Sequence, residues 1–143
     1  MSAEQVEHDF LAAQRLGLFG GTFDPVHCGH LHVARTAFDA FDLDAIVFVP
    51  AARSPHKLDA KMASAEDRMA MLALALEGEP WFALSDMELR RGAPSFTIDT
   101  VLALTEQRSA LKDSELFLVL GSDNLTGLDT WRDIDQIFQL AQP

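Results

Sequence analysis

Three short, unbroken apolar runs constrain this chain more than any other feature: Leu16 to Phe19, Ala45 to Val49 and Leu116 to Leu120. None alternates apolar with polar residues, so each reads as a strand buried on both faces. Each stops at a residue that breaks regular structure: Gly20-Gly21, Pro50 and Gly121. Between the runs the apolar spacing becomes helical. Leu31, Ala34, Phe38 and Phe41 predict a helix from about Gly29 to Asp42. Met69, Leu72, Ala73 and Leu76 predict a second, opened by a capping arrangement of Ser64 with Asp67 and stopped by Gly78 and Pro80. A third runs from Ser95 to about Arg108 with Ile98, Val101, Leu102 and Thr105 inward, and a last one carries Ile134, Ile137, Phe138 and Ala141. Trp81 to Leu84 reads as a further, shorter strand. Apolar strands alternating with amphipathic helices predict a parallel sheet covered on both faces, a three-layer α/β/α domain. Ligands of such sheets bind beyond the carboxyl ends of the strands, where the strand order reverses.

Composition narrows the partners. The chain has 143 residues, enough for one domain with a real core. Its formal net charge of −11 argues against a nucleic acid polymer or an anionic membrane surface. A small phosphorylated ligand is compatible with that charge, because a few local cations suffice to hold it. No apolar run reaches the ~20 residues of a membrane-spanning helix. Met1 to Asp9 lacks the basic flank and apolar stretch of a signal peptide. Cys28 is the single cysteine, so no internal disulfide forms and a cytoplasmic location is expected. The oligomeric state is left open, a homo-oligomer included.

The chemistry-bearing residues cluster in the loops that follow the apolar runs. The first loop is Gly20-Gly21-Thr22-Phe23-Asp24-Pro25-Val26-His27-Cys28-Gly29-His30. Its glycines let backbone N–H groups approach an anion. His27 and His30, three apart at the start of a helix, share one side, and the helix N-terminus adds donors and partial positive charge. Together they predict a phosphate cradle with two imidazoles. A plainer reading is a glycine turn whose histidines are satisfied by the backbone. A metal site from His27, Cys28, His30 and His32 lacks a second ligand group at zinc spacing, so no metal site is expected.

The second loop, Ser54-Pro55-His56-Lys57, places two basic residues on a proline-stiffened arm suited to closing over phosphates; a solvated loop is the alternative. In Pro94-Ser95-Phe96-Thr97, Ser95 and Thr97 can cap a helix start. In Gly121-Ser122-Asp123-Asn124-Leu125, Gly121 permits a tight turn and Asp123 can accept hydrogen bonds from ribose hydroxyls. Trp131 offers a face for a flat ring. The plain alternatives are a helix cap for Asp123 and a core anchor for Trp131. In a parallel sheet the loops after the apolar runs meet at one edge, forming a cleft that suits two nucleotides better than one.

Gly21 to His30 resembles the G-x-F-D-P-x-H-x-G-H signature of the nucleotidyltransferase superfamily. The remaining motifs are similar to those of bacterial nicotinate-mononucleotide adenylyltransferases: P-H-K at Pro55 to Lys57, P-S-F-T where the family has P-S-Y-T, and G-S-D-x-L followed by Trp131. The resemblance implies a Rossmann-like domain over residues 15–143, with residues 1–14 as an N-terminal extension. It implies transfer of AMP from ATP to nicotinate mononucleotide, giving deamido-NAD and pyrophosphate in NAD biosynthesis. His27, His30 and Lys57 would then be catalytic, with His30 nearest the transferring phosphate and His56 closing beside Lys57. Gly20, Gly21, Thr22 and Phe23 would bind substrate at the first loop. Thr97, Gly121, Ser122, Asp123 and Trp131 would border the nucleotide and nicotinate pockets. Mg2+ would arrive with ATP, held mostly by phosphate oxygens and water. Phe96 cannot supply the hydroxyl of the family's tyrosine. The family's C-terminal I-S-x-T-x-I-R run does not occur before Pro143, so the domain is expected to be C-terminally incomplete. The alternatives are a catalytically inactive nucleotide-binding module and a sister adenylyltransferase for nicotinamide mononucleotide or phosphopantetheine.

Overall fold

The computed structural model describes residues 10–52, 64–92, 96–121 and 127–143. Four strands, β1 (Arg15–Gly21), β2 (Ala45–Pro50), β3 (Phe82–Leu84) and β4 (Glu115–Val119), form one parallel sheet in the order β3-β2-β1-β4. Helix α1 (Cys28–Ala40) links β1 to β2, and α2 (Ala65–Ala75) links β2 to β3. The chain then passes through α3 (Met87–Arg91) and α4 (Thr97–Gln107) to reach β4 on the far side of β1, and α5 (Ile134–Leu140) follows. Strand order therefore reverses between β1 and β4, which makes that boundary the expected ligand crevice. The three-layer α/β/α arrangement expected from the apolar runs is the one observed.

Side chains alternate across a sheet, so the core has two halves. Leu16, Leu18, Val47, Val49, Leu116 and Leu118 meet Ile98, Val101 and Leu104 of α4 and Ile137 of α5 on one face. On the other, Phe19, Ile46, Phe48, Phe117 and Val119 meet Ala34 of α1 and Leu72 of α2. All six residues of β2 are buried, which is why its sequence does not alternate.

Several details depart from the sequence reading. β1 runs through both glycines, which pair with Val49 and Pro50, so the turn begins at Thr22. The inward stripe of α2 contains Arg68 and Leu72, while Ala73 is exposed. On α4, Thr100 and Leu104 point inward where Leu102 and Thr105 were expected. Thr100 is tolerated in the core because its hydroxyl donates to Glu88 Oε2 at 2.5 Å and accepts from Arg91 Nη1 at 3.2 Å. Helix α4 starts at Thr97, and Ser95 lies outside the described residues. Phe41 and Phe138, on the expected apolar stripes, are exposed. Helix α3 had no signal in the periodicity.

Residues 10–14 are tied to the domain. Phe10 is buried among the α4 and α5 contacts. The buried Arg108 donates to the carbonyls of Ala13, Gln14 and Glu115 at 2.6, 3.1 and 3.2 Å. Beyond α5, Gln142 takes a place beside β4, donating to Leu116 O at 2.9 Å and accepting from Leu118 N–H at 2.6 Å. Among the described residues no helix is long and apolar enough to cross a membrane.

Gly17 marks a tight contact on the α1/α2 face. A Cβ there would lie 3.0 Å from Leu43 Cδ1 and 3.1 Å from Ile46 Cγ1. Gly17→Val should overpack this face and cost about 1–3 kcal/mol. In urea denaturation it should lower the midpoint at unchanged slope; an unchanged midpoint would show that the face has room to spare.

Candidate functional site

The turn from β1 into α1 is built around one buried ring. Phe23 has φ 51°, in the left-handed region that non-glycine residues seldom occupy. Phe23 is 2% exposed, and its ring packs edge-on against Phe19, with centroids 5.5 Å apart, and at a tilt against Phe48 at 5.8 Å. Burial of a whole aromatic side chain, worth about 1.5–3 kcal/mol, is of the size needed to hold such a backbone.

On this foundation His27 and His30 cap the helix for each other. His27 is the N-cap, with extended backbone at φ −144° and ψ 176°. Its Nδ1 accepts from Gly29 N–H at 3.1 Å, and its own N–H donates to His30 Nδ1 at 3.0 Å. A reciprocal capping box usually pairs a hydroxyl with a carboxylate or amide; here both partners are imidazoles. The rings stack with centroids 3.9 Å apart and planes at 28°. Phe23 and Phe19 support His30 edge-on at 5.0 and 6.0 Å. An Nδ1 that accepts carries no proton, so each neutral ring bears its proton on Nε2, on the side away from the backbone. The reading in which the backbone satisfies the pair thus holds at one edge of each ring, Nδ1, and leaves the Nε2 edge turned from those contacts.

Gly29 was not among the expected site residues. A Cβ at this position would lie 2.8 Å from His27 Cε1 and 2.9 Å from Nδ1, so only glycine lets the ring close onto the helix. The signal lay in the H-x-G-H spacing itself. Gly20 and Gly21 show no comparable need. Neither has positive φ, and the nearest atoms to an added Cβ are at 3.8 and 3.6 Å.

Arg68 was also missed, because an arginine on a helix reads as surface. Its spacing with Leu72 and Leu76, four and eight residues on, was the available clue. Its side chain is buried, and Nη1 donates to Ala51 O at 2.5 Å and Thr22 O at 3.1 Å, while Nη2 donates to Ala52 O at 3.4 Å. Burial lowers the guanidinium pKa from its ordinary value, and the negative charge of Asp24 offsets part of that.

The remaining expected residues are placed as follows. The Thr22 carbonyl is engaged by Arg68. The Phe23 ring lies in the core under His30, so a ligand contact from this residue would have to come from its backbone. Thr97 opens α4, whose N-cap, Phe96, lies under the Arg132 guanidinium at 3.7 Å. Gly121 follows the end of β4. Trp131 is half-buried against the α4/α5 half of the core and lines an open depression of about 590 Å³ with Asp133, Ile134 and Gln136. The imidazole pair does not line that depression. His56, Lys57, Ser122 and Asp123 lie outside the described residues. Because all strands are parallel, the starts of α1 and α4 and Gly121 share the carboxyl edge of the sheet. Cys28 is exposed on the first turn of α1.

Long-range 1H–15N NMR spectra should place the proton of each neutral ring on Nε2. An Nδ1–H form of either ring would overturn the reciprocal cap. Gly29→Ala should displace the His27 ring and cost about 1 kcal/mol through the lost cap, read as a lower thermal midpoint.

The profile of the cytidylyltransferase-like family matches residues 18–142. A protein of Desulfatibacillum aliphaticivorans named "Probable nicotinate-nucleotide adenylyltransferase" is 43% identical over 127 residues, which are 89% of this chain and 56% of that protein. One of the same name from Frankia casuarinae is 47% identical over 122 residues, 85% of this chain and 63% of that protein. The chain spans less than two thirds of the length of either relative. The structure of Plasmodium falciparum nicotinic acid mononucleotide adenylyltransferase complexed with APC superposes with TM-score 0.69 at 16% identity, over 87% of this chain and 59% of that one. A Vibrio parahaemolyticus structure gives TM-score 0.74 at 17% identity, over 90% and 71%. At such identities the likeness is one of fold. The sequence profile, by contrast, extends from within β1 to the residue paired beside β4, and on that match the chain belongs to the cytidylyltransferase-like family.

Proposed function

We propose that this domain transfers AMP from ATP to nicotinate mononucleotide, giving deamido-NAD and pyrophosphate, a step of NAD biosynthesis. The observation that carries the reading is the stacked His27–His30 pair, whose rings hold their Nε2 protons away from the backbone at the carboxyl edge of the sheet. The names of the sequence relatives support it. So does the P. falciparum adenylyltransferase of similar fold, solved with APC and with NaAD.

In this reaction an oxygen of the mononucleotide phosphate attacks the α-phosphorus of ATP in line. The new O–P bond forms as the bond to the bridging oxygen of the β-phosphate breaks, and pyrophosphate leaves with that electron pair. No side chain forms a covalent bond to the substrate. The protein's task is to bring two anions together and to stabilise the charge that develops on the departing group. His27 and His30 donate from Nε2 to the triphosphate, with His30 beside the transferring phosphate. Lys57 and His56 close over it from the segment after β2. The first-loop residues Gly20, Gly21, Thr22 and Phe23 contribute through their backbone. Gly121, Ser122 and Asp123 hold ribose, and Thr97 and Trp131 border the pyridine ring. Mg2+ belongs to the substrate, entering with ATP. Among the described residues no group of three or more His, Cys, Asp or Glu is arranged as a resident cation site. A cytoplasmic location belongs to the same reading.

The test is release of pyrophosphate from ATP, Mg2+ and nicotinate mononucleotide. His30→Ala should slow it about 10²–10³-fold, the usual loss when one stabilising donor is removed. Full activity in that variant would exclude the imidazole pair from the chemistry. ATP binding in calorimetry with no pyrophosphate formed would mark an inactive nucleotide-binding module. A preference for the amide mononucleotide or for phosphopantetheine would mark a sister transferase.

A further inference from the structure

We propose that Arg68 is a positioning residue for the imidazole pair: its buried guanidinium ties the start of the loop that carries His27 to Ala51 and Ala52 at the exit of β2, and so fixes where that loop sits. The inference deepens the phosphoryl-transfer reading above and rests on it.

The sheet itself stops holding these two segments together where the site begins. The β1–β2 ladder ends with Gly21 opposite Pro50, followed by one more bond from Ala51 N–H to Gly21 O at 2.8 Å. Past that point the carbonyls of Thr22, Ala51 and Ala52 have left the ladder, and such groups must find donors. A single side chain supplies all three, reaching in from α2. Thr22 lies five residues before His27, and Ala51 and Ala52 directly follow the end of β2.

An apolar side chain of similar length would fill the space beside Leu72 but leave those carbonyls without their donor, so replacing Arg68 carries a stability cost as well. What arginine adds is a rigid planar fork with donors in fixed directions, so that two backbone segments are held at one spacing. Lysine keeps the charge but presents a rotating point donor that fixes no such spacing. The cation also stands behind a loop proposed to receive phosphates, in a chain of net charge −11, with Asp24 of the same loop in its field.

The molecule contains its own control. Arg108 makes the same kind of clamp, one buried guanidinium on the carbonyls of Ala13, Gln14 and Glu115, at the amino edge of β1 and β4. No proposed site residue lies there. A purely structural role predicts that the two arginines behave alike; a positioning role predicts that they differ.

The experiment compares Arg68→Lys and Arg68→Met with Arg108→Lys in the full chain, each assayed below its thermal midpoint. Two quantities are read: kcat and KM for ATP in the pyrophosphate assay, and the imidazole 15N resonances of His27 and His30 without substrate. Either folded Arg68 variant should lower kcat about 10- to 100-fold, the scale of a small misplacement at a reacting centre. KM for ATP should change by less than about threefold, and the imidazole resonances should shift. Arg108→Lys should lower the thermal midpoint yet leave kcat and the resonances as in the parent. A folded Arg68 variant with parental kcat and unshifted resonances would overturn the proposal. So would an Arg108→Lys loss of kcat matching that of Arg68→Lys. If the parent protein itself releases no pyrophosphate, the transferase reading fails by itself. The resonances then decide: a shift in the Arg68 variants alone supports the clamp, and no shift overturns it.

Discussion

Parallel pairing of β1 on both of its edges is the constraint from which the rest of the molecule follows. A strand bonded to β2 on one side and β4 on the other has no edge left, and helices cover both of its faces. Its central residues, Leu16 to Phe19, are buried, and both neighbouring strands run parallel to it. Each strand then releases its chain at one shared edge, so loops far apart in sequence are brought to the same side of the molecule. Helix α1 has to start just outside that edge. The short turn into it puts Phe23 into a left-handed backbone conformation, its ring fills the core below, and His30 rests on that ring. The order of the imidazoles is therefore inherited from the hydrophobic packing beneath them.

Where the ladder ends, backbone carbonyls still need partners, and buried side chains provide them. Arg68 does this at the carboxyl edge and Arg108 at the amino edge. Burial lowers the pKa of both guanidiniums, and charge-assisted bonds to several carbonyls offset that desolvation. Between α3 and α4, Glu88, Thr100 and Arg91 form a third polar junction inside an apolar layer. These junctions join elements that the hydrophobic periodicity alone would only place near one another.

Much of this was legible in the sequence because burial on two faces leaves a simple trace. The runs at Leu16, Ala45 and Leu116 mark three strands and Trp81 to Leu84 a fourth, and Ser64 caps α2 through Asp67 N–H at 3.1 Å as its spacing suggested. The failures have physical causes. Parallel pairing carried β1 through its glycines, since an extended glycine bonds as well as any residue. Arg68 and Thr100 entered the core because backbone carbonyls and a buried carboxylate satisfied them, and periodicity counts only apolar residues. Gly29 owes its place to a ring contact that no propensity encodes. The stacking of His27 on His30 was legible only as a shared side. The proposed roles of His56, Lys57 and Asp123 rest on residue chemistry and motif resemblance, and that of Ser122 on resemblance alone, since all four lie outside the described residues.

One surface feature has a practical side. Cys28 is the chain's single thiol, and it is exposed on the first turn of α1, between the two imidazoles in sequence. A maleimide fluorophore or nitroxide attached there would occupy one known position, with no second sulfhydryl in the chain to compete for label. The unaltered chain thus carries its own anchor for a spectroscopic reporter beside the imidazole pair.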